Sequence, residues 1–103
     1  GRTDDMVKVK GVNMFPAQFE EVLSETEGPE SEYQVMIDHL DGKDILTLYF
    51  ETAVPESKRE VLEKEVQDRF RVKVGATINP KAVNVGDLPR SEKKTSRMFD
   101  NRY

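Results

Sequence analysis

The feature of this 103-residue sequence that most constrains its fold is a pair of β-rich runs joined by a short turn. In residues 33–39, Tyr33, Val35, Ile37 and His39 alternate with Gln34, Met36 and Asp38. A second β-rich run, 45–50, follows the dipeptide Asp41-Gly42. Such alternation indicates a strand with one buried face, and an Asp-Gly step between two strands is typical of a β-hairpin. The sequence therefore predicts two antiparallel strands at its centre.

Helical periodicity flanks this hairpin on both sides. The first pattern predicts a helix over residues 16–26, with Pro16 in its first turn and Gly28-Pro29 closing it. The second predicts a helix over residues 56–71, with Ser57 and Glu60 resembling a capping box and Gly75 ending the element. The apolar stripes are Phe15, Phe19, Val22 and Leu23 in the first helix, and Leu62, Val66 and Phe70 in the second.

Both ends of the chain carry further strand-like residues. Residues 6–14 predict a short hairpin or bulged strand with its turn near Gly11, and strand-like residues at 76–78 and 82–85 surround Asn79-Pro80. Residues 86–94 predict an irregular loop, followed by a last turn over 95–101. The predicted fold class is α+β, in the order β(β)-α-β-β-α-β. Two helices would cover a mainly antiparallel three-stranded sheet, with an N-terminal hairpin and an irregular basic C-terminal tail.

Composition limits the possible classes of protein. With 36% apolar and 35% charged residues, the chain fits one domain, residues 1–103, with a modest core. The net charge of -4 argues against general nucleic-acid binding, and no apolar stretch is long enough for a membrane span. No secretory leader opens the sequence and there is no cysteine, so we expect a cytoplasmic protein. Basic residues outnumber acidic ones from Lys81 onward, which indicates a solvated surface or contact with an anion such as phosphate.

The sequence lacks the motifs of a self-contained active site. It has no phosphate-binding loop, no dinucleotide-binding glycine motif, no nucleophile elbow and no Cys/His grouping with metal spacing. His39 is the only histidine, and a strand position among apolar neighbours favours a structural or surface role. Glu20 and Glu21 are adjacent on a helix and point in different directions, so they predict a solvated face rather than an acid/base pair.

Two motifs at the ends of the chain are more specific. The N-terminal run Gly1-Arg2-Thr3-Asp4-Asp5 and the glycine-bearing hairpin after it resemble the Gly-Arg-x-Asp-Asp hinge and hairpin of the adenylate-forming superfamily. The ending Asn13-Met14-Phe15-Pro16 resembles the phenylacetate-CoA ligase branch of that superfamily. The run from Leu88 to Lys94, Leu-Pro-Arg-Ser-Glu-Lys-Lys, resembles the terminal Leu-Pro-Arg-Ser-Glu-Gly-Lys motif of the same branch. Lys93 departs from the usual glycine, so two adjacent lysines compete for one role.

This resemblance implies that the chain is the C-terminal lid domain of an enzyme that activates carboxylic acids. Such enzymes join an acid to ATP with release of pyrophosphate, and coenzyme A then displaces AMP to give the acyl-CoA. A large N-terminal domain, which this sequence does not contain, would bind ATP, Mg²⁺ and an aromatic or other carboxylic acid. The lid would rotate between two poses, and alone it would bind no cofactor and be inactive.

The resemblance also implies roles for individual residues. Lys94, with Lys93 as the fallback, would be the catalytic lysine that reaches the substrate carboxylate and the α-phosphate. Asp4 would be the hinge, and Arg2 would lie near the nucleotide ribose. Gly11 would let the pantetheine arm of coenzyme A pass close to the backbone. At the level of sequence, a surface lysine, a turn or cap aspartate and a plain turn glycine are the competing interpretations.

A second hypothesis explains the middle of the chain equally well. The order β-α-β-β-α-β is shared with ferredoxin-like regulatory modules that bind small ligands between subunits. That hypothesis gives no reason for the motifs at the two ends.

Overall fold

The computed structural model describes residues 6–88 and 98–101, and these form a mixed α and β structure. The central hairpin, the N-terminal hairpin and both helices that the sequence predicts are confirmed. The elements are β1 (Val7–Val9), β2 (Val12–Met14), α1 (Pro16–Glu25), β3 (Pro29–Leu40), β4 (Lys43–Thr52), a 3₁₀ turn (Glu56–Lys58), α2 (Arg59–Val74), β5 (Asn79–Asn84) and β6 (Met98–Asp100).

Within the described residues, the main sheet has four strands, and β1 and β2 form a separate two-stranded sheet. The strand order is β5-β4-β3-β6, with β3 and β4 antiparallel and both outer pairs parallel. The predicted three-stranded, mainly antiparallel sheet is therefore wrong. Helix α2 lies between β4 and β5 in the sequence and carries the chain back to the end of the sheet where β4 begins. Strand β5 therefore runs in the same direction as β4, and the pair is parallel.

The strand that sequence reasoning missed is β6, on the edge of β3. A last turn was predicted over residues 95–101, but Met98–Asp100 pairs with β3 instead, with Met98 opposite Val35. Residues 95–97 of that prediction lie outside the described residues. Three residues are too few to show the alternation of apolar and polar side chains that predicts a strand. This strand forms because the edge of β3 offers unpaired backbone groups.

Strand β5 begins at Asn79-Pro80, the dipeptide that separates the two strand-like runs in the sequence. Pro80 lies inside it, opposite Leu48, although a proline cannot donate a ladder hydrogen bond. Two residues after Pro80, the backbone N–H of Ala82 points away from the sheet and donates to Glu63 Oε2 on α2 at 2.8 Å. Because alternate backbone nitrogens face the same side of a strand, the Pro80 nitrogen faces this outer edge, where no ladder bond is lost.

The start of α2 differs from the prediction as well. Residues 56–58 form a 3₁₀ turn, and Lys58 is the N-cap of the helix with no side-chain capping bond. The capping box predicted at Ser57 and Glu60 is therefore wrong. At the other end the helix runs to Val74, and Gly75 adopts the left-handed conformation and donates its N–H to Arg71 O at 2.8 Å.

The core lies between the two helices and one face of the main sheet. The rings of Phe19 on α1 and Phe70 on α2 stack with centroids 4.6 Å apart. Helix α1 is fixed at its start by Gln18, whose Oε1 accepts the Phe15 N–H at 2.9 Å. The buried apolar residues shared by these layers are Val9, Met14, Phe19, Val22, Leu23, Tyr33, Val35, Ile37, Leu46, Leu48, Phe50, Leu62, Val66, Phe70, Ala76 and Ile78.

Candidate functional site

The tip of the N-terminal hairpin is a two-residue turn. Val9 pairs with Val12 across it, which leaves Lys10 and Gly11 as the loop. Both loop residues have positive φ, 55° for Lys10 and 78° for Gly11, which is the pattern of a type I′ turn. This turn confirms the sequence prediction of a hairpin with its turn at Gly11.

The hairpin is anchored at its base and exposed at its tip. Val9 and Met14 are buried in the core, whereas Lys10 and Gly11 are exposed. A Cβ added at Gly11 would meet no heavy atom within 4 Å. Crowding within the domain therefore does not require glycine here, and the requirement that remains inside this chain is the positive φ. The space beside the Gly11 backbone is open to a second molecule.

The other predicted site residues do not fall within the part of the chain that the structure describes. Arg2 and Asp4 precede it, and Lys93 and Lys94 lie between Leu88 and Met98. Among the predicted site residues, only Gly11 receives a structural position. The described residues do show how the chain is held immediately before the motif that carries the two lysines.

A network of polar contacts fixes the end of β5. The guanidinium of Arg59 donates from Nε to Val54 O at 2.9 Å and from Nη2 to Asn84 Oδ1 at 2.7 Å. The turn after Asn84 is closed twice by Asp87, whose N–H donates to Asn84 O and whose Oδ2 accepts the Asn84 N–H, both at 3.0 Å. The start of α2, the end of β4 and the turn that leads to Leu88 are therefore tied together.

The next contact along the chain involves a buried carboxylate. Glu51 on β4 is 0% exposed, and its Oε2 accepts the backbone N–H of Leu88 at 2.9 Å. Sequence reasoning did not select Glu51 or Arg59. A glutamate directly after the apolar strand residues 45–50 was the available signal, but a carboxylate at a strand end is most often solvated.

The acidic residues and the histidine considered from the sequence have surface roles. His39 is exposed, and its Nδ1 lies 2.8 Å from Asp44 Oδ1 across the β3–β4 hairpin. Glu20 accepts a hydrogen bond from the Tyr33 hydroxyl at 2.8 Å, and Glu21 forms an ion pair with Lys73 at 3.5 Å. These contacts support the structural interpretation of all three side chains.

Within residues 6–88 and 98–101, the structure contains no group of three or more His, Cys, Asp or Glu side chains that could hold a metal ion. In the same ranges, no helix is both long enough and apolar enough to cross a membrane.

Comparison with known proteins identifies the family. Residues 11–102 match the model of the AMP-binding enzyme C-terminal domain. The chain belongs to this family. The match covers the hairpin tip, both helices and the main sheet, and it continues through Lys93 and Lys94. It supports the first hypothesis of a C-terminal domain and not the ferredoxin-like regulatory module of the second hypothesis.

Phenylacetate-coenzyme A ligases are similar to this chain over nearly its whole length. The protein from Escherichia coli is 36% identical over 107 residues, which cover 99% of this chain and 24% of the relative. The protein from Thermus thermophilus is 32% identical and covers 99% of this chain and 27% of the relative. The chain thus spans about a quarter of the length of these relatives.

Solved structures show the same architecture. A crystallised domain of phenylacetate-coenzyme A ligase from Bacteroides vulgatus matches with a TM-score of 0.85 and 28% identity, covering 97% of this chain and 95% of that one. A 2-hydroxyisobutyryl-CoA ligase, in complex with 2-HIB-AMP and CoA in the thioesterification state, matches with a TM-score of 0.87 and 25% identity. That match covers 99% of this chain and 22% of the ligase.

Proposed function

We propose that this chain is the mobile C-terminal domain of an acid-CoA ligase of the phenylacetate-CoA ligase type. The observation that carries this proposal is the 36% identity to the Escherichia coli ligase over 99% of the chain. A larger N-terminal domain of the same protein would bind ATP, Mg²⁺ and the acid. The cytoplasmic location expected from the sequence stays a prediction.

The proposed reaction has two steps that use the domain differently. In the first step the substrate carboxylate attacks the α-phosphorus of ATP, and pyrophosphate leaves with the electrons of the broken P–O bond. In the second step the thiol sulfur of coenzyme A attacks the acyl carbonyl, loses its proton and expels AMP. The matched 2-hydroxyisobutyryl-CoA ligase was solved in both a postadenylation state and a thioesterification state, which supports two functional states in such ligases.

Lys94 is the residue that we propose for the first step. Two anions, the carboxylate and the triphosphate, must approach each other, and negative charge develops on the phosphoryl oxygens. An ammonium held in a site from which water is excluded offsets that repulsion, by about 3 to 4 kcal/mol if it is comparable to one oxyanion-hole donor. Lys93 is the alternative donor because it precedes Lys94 directly.

Gly11 is the residue that we propose for the second step. Its exposed position and the empty space around its missing side chain allow another molecule to approach the turn backbone closely. The pantetheine arm of coenzyme A is the proposed occupant. Asp4 is proposed as the hinge of the rotation and Arg2 as a contact of the nucleotide ribose, both on the N-terminal motif.

The test of this function separates the two half-reactions in the complete ligase. We expect Lys94→Ala to lower acid-dependent exchange between ATP and pyrophosphate by about 100-fold or more. The same variant should still convert a supplied acyl-adenylate and coenzyme A to the thioester, because the phosphoryl chemistry is already complete.

Lys93→Ala is the matched control for this experiment, since it removes the same charge one position away. Exchange that survives in both single variants would contradict the assignment of a catalytic lysine to this motif. Loss of exchange in Lys93→Ala alone would move the role to Lys93.

A further inference from the structure

Glu51 occupies a position that the core does not explain. Along β4, the even-numbered residues Leu46, Leu48 and Phe50 belong to the core beneath the helices. Because alternate residues of a strand face opposite sides, Glu51 points to the side of the sheet away from the helices. Tyr49 on that same side is only partly buried, whereas Glu51 is completely buried.

The turn after β5 provides part of the cover for this carboxylate. Leu88 is 9% exposed, and its backbone N–H donates to Glu51 Oε2 at 2.9 Å. Leu88 is the first residue of the Leu-Pro-Arg-Ser-Glu-Lys-Lys motif. The following residue, Pro89, has no N–H, so the amide of Leu88 is the last backbone donor before Arg90.

Stability alone is a weak reason to place a carboxylate at this position. Burial of a charge costs free energy that its polar contacts must offset, and replacing a buried charged group together with its partner by apolar side chains often leaves the stability unchanged. A charge-assisted hydrogen bond, however, fixes the position of its donor more strongly than a neutral one does. The contribution of Glu51 is therefore to fix the position of the Leu88 backbone.

We infer that Glu51 is a positioning residue that fixes the first residue of the basic motif to β4, and thereby sets the point from which Lys94, six residues later, reaches the reacting groups. This inference rests on the adenylation role proposed for Lys94. Glu51 acts through the backbone of the motif and does not touch the substrate.

The first test uses the 103-residue chain and needs no catalysis. Glu51→Met keeps a similar side-chain volume but removes the acceptor and the charge. We expect the amide of Leu88 to exchange with solvent about tenfold faster or more, as measured by NMR hydrogen exchange, because its charged acceptor is lost. The free energy of unfolding should fall only modestly, because the Leu88 N–H loses its acceptor while the cost of burying the charge is removed.

Glu63→Met is the matched control, because Glu63 also accepts a backbone N–H, that of Ala82, at 2.8 Å. It should speed exchange at Ala82 and leave Leu88 unchanged. Glu51→Gln, which retains an acceptor without the charge, should give an intermediate exchange rate at Leu88. Exchange at Leu88 that is the same in wild type, Glu51→Met and Glu51→Gln would overturn the inference.

The second test uses the complete ligase. Glu51→Met should lower kcat for acid-dependent ATP–pyrophosphate exchange by about tenfold to 100-fold, as for a small misplacement of a catalytic group. KM for ATP and the rate of thioester formation from a supplied acyl-adenylate should not change. Glu51→Gln should restore part of the loss, and Glu63→Met should behave like wild type.

The outcomes distinguish this inference from the function on which it rests. If Lys94→Ala abolishes exchange and Glu51→Met does not lower it, the positioning role is wrong and the lysine assignment stands. If neither lysine variant affects exchange, the adenylation role proposed for this motif fails, whatever the amide of Leu88 shows. Equal losses in both half-reactions of Glu51→Met indicate general damage to the domain and also overturn the inference.

Discussion

At the scale of single residues, two glycines of this chain allow backbone effects to be separated from function. Gly11 and Gly42 have nearly the same φ, 78° and 77°, and a Cβ added at either would meet nothing within 4 Å. Each lies in a turn between two antiparallel strands. A change to alanine therefore has the same local cost at both positions, and only the surroundings in the complete protein differ.

We predict that Gly11→Ala and Gly42→Ala each lower the free energy of unfolding by about 1 kcal/mol, because alanine is strained at positive φ. Urea unfolding of the 103-residue chain measures this effect. In the complete ligase, Gly11→Ala alone should slow thioester formation from a supplied acyl-adenylate. Equal thioester rates in the two variants would contradict a role for Gly11 in the second half-reaction.

At the scale of elements, the stacked rings of Phe19 and Phe70 join α1 to α2. Two ion pairs at the surface accompany this contact, from Lys73 on α2 to Glu21 and Glu25 on α1, each at 3.5 Å. Partly exposed pairs of this kind contribute little, so most of the stabilisation between the helices comes from buried rings and aliphatic side chains.

We predict that Phe70→Ala lowers the free energy of unfolding by about 3 to 5 kcal/mol, because it leaves a cavity between the helices and the sheet. Val72→Ala is the control on the same helix, since Val72 is 85% exposed. That variant should change the free energy by less than about 0.5 kcal/mol. Urea unfolding followed by circular dichroism measures both, and similar losses in the two variants would contradict this account of the core.

The helices and hairpins were predictable from the sequence because each has its own local period and turn residues. The directions of the outer strands β5 and β6 relative to their neighbours were not, because they depend on contacts between distant segments. Neither the short strand at Met98 nor the placement of Pro80 on an outer edge has a local signal in the sequence. Glu51 could not be selected from the sequence for the same reason, since its burial follows from the path of the chain near Leu88.

At the scale of the whole molecule, strands β5 and β6 lie at opposite edges of the sheet that the described residues form. On one edge, the side chains of Glu63 and Gln67 on α2 bond to backbone groups of Ala82 and Ile78. On the other, β6 covers part of β3, and Asn101 donates its N–H to Ile37 O at 2.7 Å. Within the part of the chain that the structure describes, these contacts partly protect β3 and β5 from pairing with another chain.

We predict that a chain ending at Leu88 is less stable than one ending at Asn101 by roughly 1 to 3 kcal/mol, because Met98 no longer packs against the core. The shorter chain should also self-associate at high concentration through the uncovered edge of β3. Urea unfolding and light scattering test the two effects. Equal stability and equal mass for the two chains would show that β6 contributes nothing to the fold.

The two-residue turn at Lys10 and Gly11 has a consequence for how this hairpin can change during evolution. Side chains alternate between the two faces of a strand, so a single residue gained or lost within the hairpin would exchange its buried and exposed positions. Val9 and Met14 would then leave the core. Insertions and deletions here should therefore come in pairs, unless a β-bulge absorbs the odd residue. An alignment of many relatives should show hairpin lengths that differ mostly by even numbers.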